Sequence, residues 1–346
     1  MQAQRLMSVA RGEVRLEMVE LGEPGPGEAL VRNLITAVSP GTERAGCLGL
    51  PNTGQRWPGR LGYTGVSEVV SVGPGVALKP GARLLTREGH ASAEVVRLNR
   101  TWPAPDGASD EDAAFHRILR IALQGVRKAR VELGEEVLVM GGGLIGLLAA
   151  QFAYANGAGQ VLVADLSAVR RAFAEKLTGI ASVDPRSTAG RSAIQACGVA
   201  GGPQVVIEAT GAPEAVVQSL QFAGLMGRVV LLGGSRGETE RVNFYRDVQM
   251  KGVTVIPAHN SIRPQIGDRA NGDPDAMLRW PVGVDDHPGL FTSASDNRAA
   301  YGLMASGRLT LGPLMTHRSR GADFRQVYEP LLAGDERLVG AVLRWG

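Results

Sequence analysis

Residues 137–151 read V-L-V-M-G-G-G-L-I-G-L-L-A-A-Q: a short aliphatic run, glycines at 141, 143 and 146, then an apolar run long enough for a helix. The spacing G-x-G-x-x-G gains physical meaning from standing between a strand and a helix. Gly141 permits the tight turn, Gly143 lets the backbone approach a phosphate, and Gly146 lets helix and strand pack closely. The N–H groups of Leu144 and Ile145, with the positive end of the helix dipole, then face the phosphates. Glycine is abundant, 47 of 346 residues, so the spacing alone carries little and its context carries the reading.

Outward from this turn, strands and helices alternate. Strands are expected at 136–140, 160–164, 204–209, 228–232 and 254–258, and helices at 111–129, 144–156, 167–177 and 213–223. Alternation of this kind predicts an α/β fold, a doubly wound parallel sheet of the Rossmann type. Asp165 ends the second strand where an acidic residue meets the adenosine ribose, with Leu166 and Arg170 following it. A carboxylate there accepts from the ribose hydroxyls and repels a 2′-phosphate, so NAD is the expected cofactor. Asp165 also suits a helix N-cap, a role that Ser167 can fill instead. Arg170 and Arg171 are the counter-signal, since an arginine nearby can receive a 2′-phosphate. Thr210 and Gly211 after V-V-I-E-A, and Gly233 and Gly234 after V-V-L-L, lie at carboxyl ends of strands, where open α/β sheets bind ligands.

Before about residue 115 the chain is different. Short Val/Ile-rich runs alternate with turns such as G-E-P-G-P-G-E, which predicts a β-rich, barrel-like domain. The hydrophobic fraction of 44% and charged fraction of 21% are those of a globular protein, and the net charge of +3 is scattered. A nucleic-acid partner is therefore not expected. Two cysteines exclude a disulfide framework. The N-terminal residues lack an apolar core of signal-peptide length, and the apolar stretch at 136–155 is broken by glycines. No membrane span is expected, and the cytoplasm is the expected compartment.

The run V-E-L-G-E-E-V-L-V-M-G-G-G-L-I-G resembles the medium-chain dehydrogenase/reductase superfamily, the zinc-type alcohol dehydrogenase-like proteins. V-A-D-L-S-A-V-R-R resembles its sorbitol-dehydrogenase branch, and S-P-G-T-E-R a subgroup that includes bacteriochlorophyllide dehydrogenase-like proteins. The resemblance covers nearly the whole chain. It implies a GroES-like catalytic domain over 1–117, a Rossmann domain over 118–262 and a return segment over 263–346. It also implies a homodimer and a small-molecule substrate. In zinc-dependent members the metal is held by a Cys, a His and a third Cys or Glu. Here those slots fall at Ser39 or Pro40, at Gly62-Tyr63-Thr64, and near His116 or Arg117. Neither Pro nor Arg is a plausible ligand, and Tyr is a poor one for zinc, so no metal site is expected.

Without a metal, the alkoxide left by hydride transfer needs a positioned donor. The resemblance places Thr42 at the family's Ser/Thr proton-relay position and Tyr63 in the former His slot. A phenol suits a donor and needs a cationic neighbour to act as a base, for which Arg117 or Arg44 is available. His116 is a further catalytic candidate, and Glu43, Arg117, His259 and Trp280 are candidates for the substrate. The alternative readings are a packed aromatic for Tyr63 and a turn hydrogen bond for Thr42. The expected activity is zinc-independent, NAD(H)-dependent hydride transfer between a secondary alcohol and a ketone. The alternatives are a zinc-free enoyl or quinone reductase and a non-catalytic dinucleotide-binding protein. Residues 263–291, rich in Gly, Pro and Asp, read as an inserted loop before a helix at 295–306. Long loops in compact domains are often functional, so this one is expected to wall the substrate pocket.

Overall fold

The computed structural model describes residues 1–54, 56–198, 200–259 and 292–346. The inserted loop and Trp280 therefore lie outside the described residues. Two compact units result. One comprises Met1–Ile118, the described part of Arg263–Tyr301, and Met315–Gly346; the other comprises Leu119–Ile262 and Gly302–Leu314.

The first unit is β-rich. Strands β1 (Gln2–Ala10), β2 (Glu13–Glu20) and β4 (Gly59–Arg60) form one small sheet in the order β2-β1-β4. A second sheet runs β15 (Met315–Arg320), β16 (Gly340–Arg344), β3 (Glu28–Val38), β5 (Gly65–Val72), β6 (Arg83–Thr86), β8 (Trp102–Pro103), and β7 (Ala93–Arg97) also pairs with β3. Helix α1 (Pro40–Leu48) follows β3 almost directly, and α9 (Arg325–Ala333) packs against it. Leu6, Val38, Cys47, Phe324, Tyr328 and Leu343 share one buried cluster, which ties the chain's two ends together.

Helix α2 (Asp110–Ala114) begins at Ser109, whose hydroxyl accepts from Asp112 N at 3.1 Å, and α3 (His116–Ala129) follows. A single helix over 111–129 was expected; Phe115, at φ −84° and ψ 4°, interrupts it.

The second unit carries β9 (Glu136–Met140), α4 (Leu144–Ala155), β10 (Gln160–Ala164), α5 (Ala168–Ala174), β11 (Ile180–Val183), α6 (Thr188–Ala196), β12 (Val205–Glu208), α7 (Pro213–Phe222), β13 (Arg228–Leu231) and β14 (Thr254–Pro257). Its six strands are all parallel, in the order β11-β10-β9-β12-β13-β14. The order reverses beside β9, the switch point where such sheets bind ligands. The expected fold class is borne out. Edge strand β11 and helix α6 are additions to the sequence reading. Helix α8 (Ser293–Ala305) follows the undescribed segment. Among the described residues no helix is long and apolar enough to cross a membrane.

Leu6 is fully buried in the cluster of the first unit, whereas Met18 on the partner strand is 61% exposed. Leu6→Ala should therefore cost about 2–5 kcal/mol through lost burial and a residual cavity. Met18→Ala should stay within about 0.5 kcal/mol. Denaturant midpoints of the two variants measure the contrast, and equal shifts would show that the cluster is not a cooperative core.

Candidate functional site

The turn after β9 has the geometry its glycines require. Gly141 adopts φ +105°. A Cβ on Gly146 would stand 1.9 Å from the Gly141 carbonyl oxygen, so any side chain there would force α4 off the strand. Helix α4 starts at Gly143 with no side-chain cap, leaving the first-turn N–H groups, those of Leu144 and Ile145 among them, to a ligand. Asp165 bridges this turn and the next. Its Oδ2 accepts from Gly142 N at 2.7 Å and its Oδ1 from Ser167 N at 2.8 Å. Ser167 caps α5, accepting from Arg170 N at 3.3 Å, so Asp165 is not the cap. The Arg170 guanidinium lies beside Gly143: a Cβ there would be 3.3 Å from its Nη1. Arg171 Nη1 donates to the carbonyls of Asp165 (2.8 Å) and Leu166 (3.1 Å). This cradle of bare N–H groups, with a carboxylate at its rim, fits a dinucleotide.

Glu208, which the sequence places at the end of a strand without a role, organises the two loops beyond β12 and β13. Its Oε1 accepts from Thr210 N (2.7 Å), the Thr210 hydroxyl and Gly211 N (3.0 Å). Its backbone carbonyl accepts from Gly233 N at 2.8 Å, and Gly234 packs against Gly211. The side chain is 1% exposed and its Oε2 has no hydrogen-bond partner. Burial pushes its pKa up, against the pull of the Thr210 and Gly211 hydrogen bonds. Thr210, Gly211, Gly233 and Gly234 are thus held together by one buried carboxyl group.

In the first unit, the register of β3 on β5 pairs Thr36 with Gly65, and Ala37 N donates to Thr64 O at 3.0 Å. This brings the start of α1 beside Tyr63. The Ser39 and Thr42 side chains lie beside the Tyr63 hydroxyl, close enough to favour its ionised form. Arg117 lies over the ring, 4.9 Å from its centroid, and its Nη1 donates to Tyr63 O at 3.3 Å. Burial raises the phenol's pKa; the Ser39 side chain, the Arg117 charge and the Thr42 side chain oppose it, while Glu43 adds to it. Three expected residues, Thr42, Tyr63 and Arg117, therefore converge, and Arg117 is the cation at the phenol.

The other candidates sit elsewhere. Glu43 does not face a substrate: it is 4% exposed, and its Oε1 accepts from Ser39 N at 2.8 Å. Its Oε2 accepts from His90 Nε2 (3.1 Å) and from the Tyr328 hydroxyl. His116 is fully buried, with Nε2 at 2.9 Å from Thr86 O and its ring against Trp102, and it belongs to the packing of the β6–β8 region. His259 is exposed at the end of the parallel sheet, its carbonyl accepting from Gln124 Nε2 at 3.0 Å. At the slots where the resemblance implies metal ligands, Ser39, Tyr63 and Arg117 supply two hydroxyls and a guanidinium, a poor donor set for zinc. Among the described residues no group of three or more His, Cys, Asp or Glu side chains is placed to hold a metal ion.

Residues 145–264 match the family of zinc-binding dehydrogenases. Sorbitol dehydrogenase of Macaca fascicularis is 28% identical, over 89% of this chain and 86% of the relative. L-Threonine 3-dehydrogenase of Pyrococcus furiosus is 26% identical, over 91% of each. Among solved structures, a Sinorhizobium meliloti 1021 protein of the zinc-binding dehydrogenase type, determined with NADP bound, superposes with a TM-score of 0.75 at 24% identity, over 99% of both chains. These likenesses, with the glycine turn on a doubly wound sheet, support an alcohol-dehydrogenase-type oxidoreductase using a nicotinamide dinucleotide, similar along most of its length to medium-chain dehydrogenases/reductases.

Proposed function

We propose that the protein is a zinc-independent, NAD(H)-preferring enzyme that interconverts a secondary alcohol and its ketone, with Tyr63 as the proton donor and acceptor. The observation that carries this reading is the Arg117 guanidinium over the Tyr63 ring, with the Ser39 and Thr42 side chains beside the phenol. The cofactor, when bound, supplies or accepts the hydride. In ketone reduction the Tyr63 O–H donates to the substrate oxygen, and its proton neutralises the developing alkoxide. Arg117 stabilises the phenolate left behind, and the Thr42 hydroxyl relays a proton from solvent to it, taking one up as it gives one. In alcohol oxidation the same atoms run in reverse. A homodimer in the cytoplasm is proposed with it. Among the described residues β14 is the last strand of the parallel sheet, and the same unit exposes Met226, Phe244, Tyr245, Met250 and Val255.

NAD is favoured by the way Arg171 and Arg186, near Asp165, are engaged, while the Arg170 guanidinium lies beside Gly143 in the phosphate cradle. Arg171 bonds backbone carbonyls, and Arg186 binds Asp184 at 3.0 Å and Leu166 O at 3.1 Å. Asp184 is held down to about 2 by Arg186. Neither guanidinium is left open to a 2′-phosphate, whereas the Asp165 carboxylate would repel one. NAD should therefore exceed NADP in kcat/KM by on the order of tenfold or more, and Asp165→Ser should narrow the gap. A wild-type preference for NADP defeats the assignment.

Chelator-treated protein, shown by metal analysis to be zinc-free, should keep its activity on secondary alcohols and ketones. Tyr63→Phe should lower kcat and kcat/KM together by about 10²–10⁴-fold while binding NADH normally. Thr42→Val should do so more weakly. Because the Tyr63 pKa is raised, ketone reduction should be flat through neutral pH and fall only above the ordinary tyrosine range. Alcohol oxidation should rise over that same alkaline interval. Tyr63→Phe with near-wild-type kcat, or activity restored only by zinc, would overturn the mechanism.

A further inference from the structure

His90 is fully buried, and its imidazole touches both parts of the chain that place the Tyr63 hydroxyl. On one side its Nε2 lies 3.1 Å from Glu43 Oε2, while Glu43 Oε1 accepts from Ser39 N at 2.8 Å. That carboxylate therefore pins the first turn of α1, which carries the Ser39 and Thr42 side chains. On the other side the ring rests on Gly62, the residue before Tyr63. Gly62 has φ +81°, and a Cβ there would stand 2.7 Å from His90 Cδ2. His90 N also donates to Leu61 O at 2.7 Å. The imidazole is oriented in turn. Its Nδ1 lies 2.7 Å from Thr36 Oγ1, which also accepts from Trp345 Nε1 at 2.9 Å. The Glu43 carboxylate can only accept, so His90 Nε2 carries the hydrogen that faces it, and in the neutral ring Nδ1 then accepts from the Thr36 hydroxyl. The Tyr328 hydroxyl donates to the same Oε2, its ring edge-on to His90 with centroids 6.3 Å apart. Burial and the Glu43 charge push the Tyr328 pKa well up, so it remains a donor.

We propose that His90, with Tyr328, is a positioning residue for the proton-transfer step: through Glu43 and Gly62 it fixes the Ser39 and Thr42 hydroxyls on the Tyr63 phenol. The proposal rests on reading Tyr63 as the proton donor. No proton path runs through His90, because the link from Glu43 to Ser39 is a backbone N–H. The charged and titratable groups around the phenol are Arg117 and Glu43, and those around Glu43 are His90, Tyr328 and Cys47.

The test compares His90→Ala, His90→Gln and Tyr328→Phe. In His90→Ala, kcat should fall on the order of ten- to a hundredfold with the NADH dissociation constant unchanged, since misplacement by about 1 Å has that effect. His90→Gln, whose amide N–H reaches the same carboxylate, should recover most of the loss. Tyr328→Phe, the mildest change, should lower kcat less and serves if His90→Ala does not fold. A second readout needs no substrate. The phenolate absorbance titration of each variant, less that of the same variant carrying Tyr63→Phe, reports Tyr63 alone. Withdrawing the Ser39 and Thr42 hydroxyls should move its midpoint to higher pH in His90→Ala and Tyr328→Phe, and His90→Gln should return it. Unmoved or lowered midpoints, or a His90→Gln enzyme as impaired as His90→Ala, would overturn the proposal. Full activity in Tyr63→Phe would instead sink the proton-donor reading while leaving the titration result standing.

Discussion

Backbone pairing of β3 is the constraint on which the first unit depends. The strand bonds β5, β7 and β16, and its last residue is one position from the helix that carries Ser39, Thr42 and Glu43. Its register is pinned by buried polar groups as well as by apolar ones. Asn33 donates to Ala91 O at 2.7 Å and accepts from Ser67 at 2.6 Å, and Ser67 lies 2.9 Å from Thr86. A slip of one residue would turn Thr36 and Asn33 to the opposite face. It would strand Ser67, unseat the imidazole of His90 and move α1 along the sheet. Buried polar groups make such a slip expensive, because each partner left unpaired loses water as well as its bond. The register that stabilises the sheet therefore also sets the Tyr63 geometry.

A raised phenol pKa suits the chemistry only because of what surrounds it. Burial alone would make Tyr63 a good donor and a poor acceptor. Arg117 over the ring and the hydroxyls of Ser39 and Thr42 act in the opposite sense, since each favours the phenolate. The balance leaves a group that stays protonated at neutral pH, yet whose conjugate base has a cation and two hydroxyl donors already in place. Such donors need no reorganisation as the proton moves, which is where electrostatic stabilisation of a transition state is most effective.

The dinucleotide half of the molecule was legible in the sequence because its signals are local. The glycine turn, Asp165 and the strand–helix alternation all act within some thirty residues. Edge strand β11 escaped notice because Ile180–Val183 is only four residues long, and a run that short has no decisive period. In the first unit, local sequence suggested Thr42, Tyr63 and Arg117 by position but gave no sign that Glu43 and His116 are buried. The reason is range. Glu43 meets His90 across 47 residues and Tyr328 across 285. Only the assembled sheet shows that the glutamate points inward. His116 follows the same logic, since its partner Thr86 lies on a strand 30 residues earlier.

Two buried glutamates hold the loops that matter, one in each unit, and their environments differ in a way that has consequences. Glu43 shares its two oxygens among three donors: a backbone N–H, an imidazole and a phenol. Glu208 takes its donors on Oε1, all within three residues of itself, and leaves Oε2 bare in an apolar setting. A carboxylate with both oxygens engaged is compensated for the water it gave up; one with a bare oxygen is not. That difference accounts for the upward push on the Glu208 pKa. A proton on Oε2 would relieve the uncompensated charge while leaving the Oε1 bonds to Thr210 and Gly211 in place. The loops beyond β12 and β13 are therefore tied by a group whose geometry tolerates either protonation state. Glu43 instead draws its three donors from three separate segments of the first unit, Ser39, His90 and Tyr328.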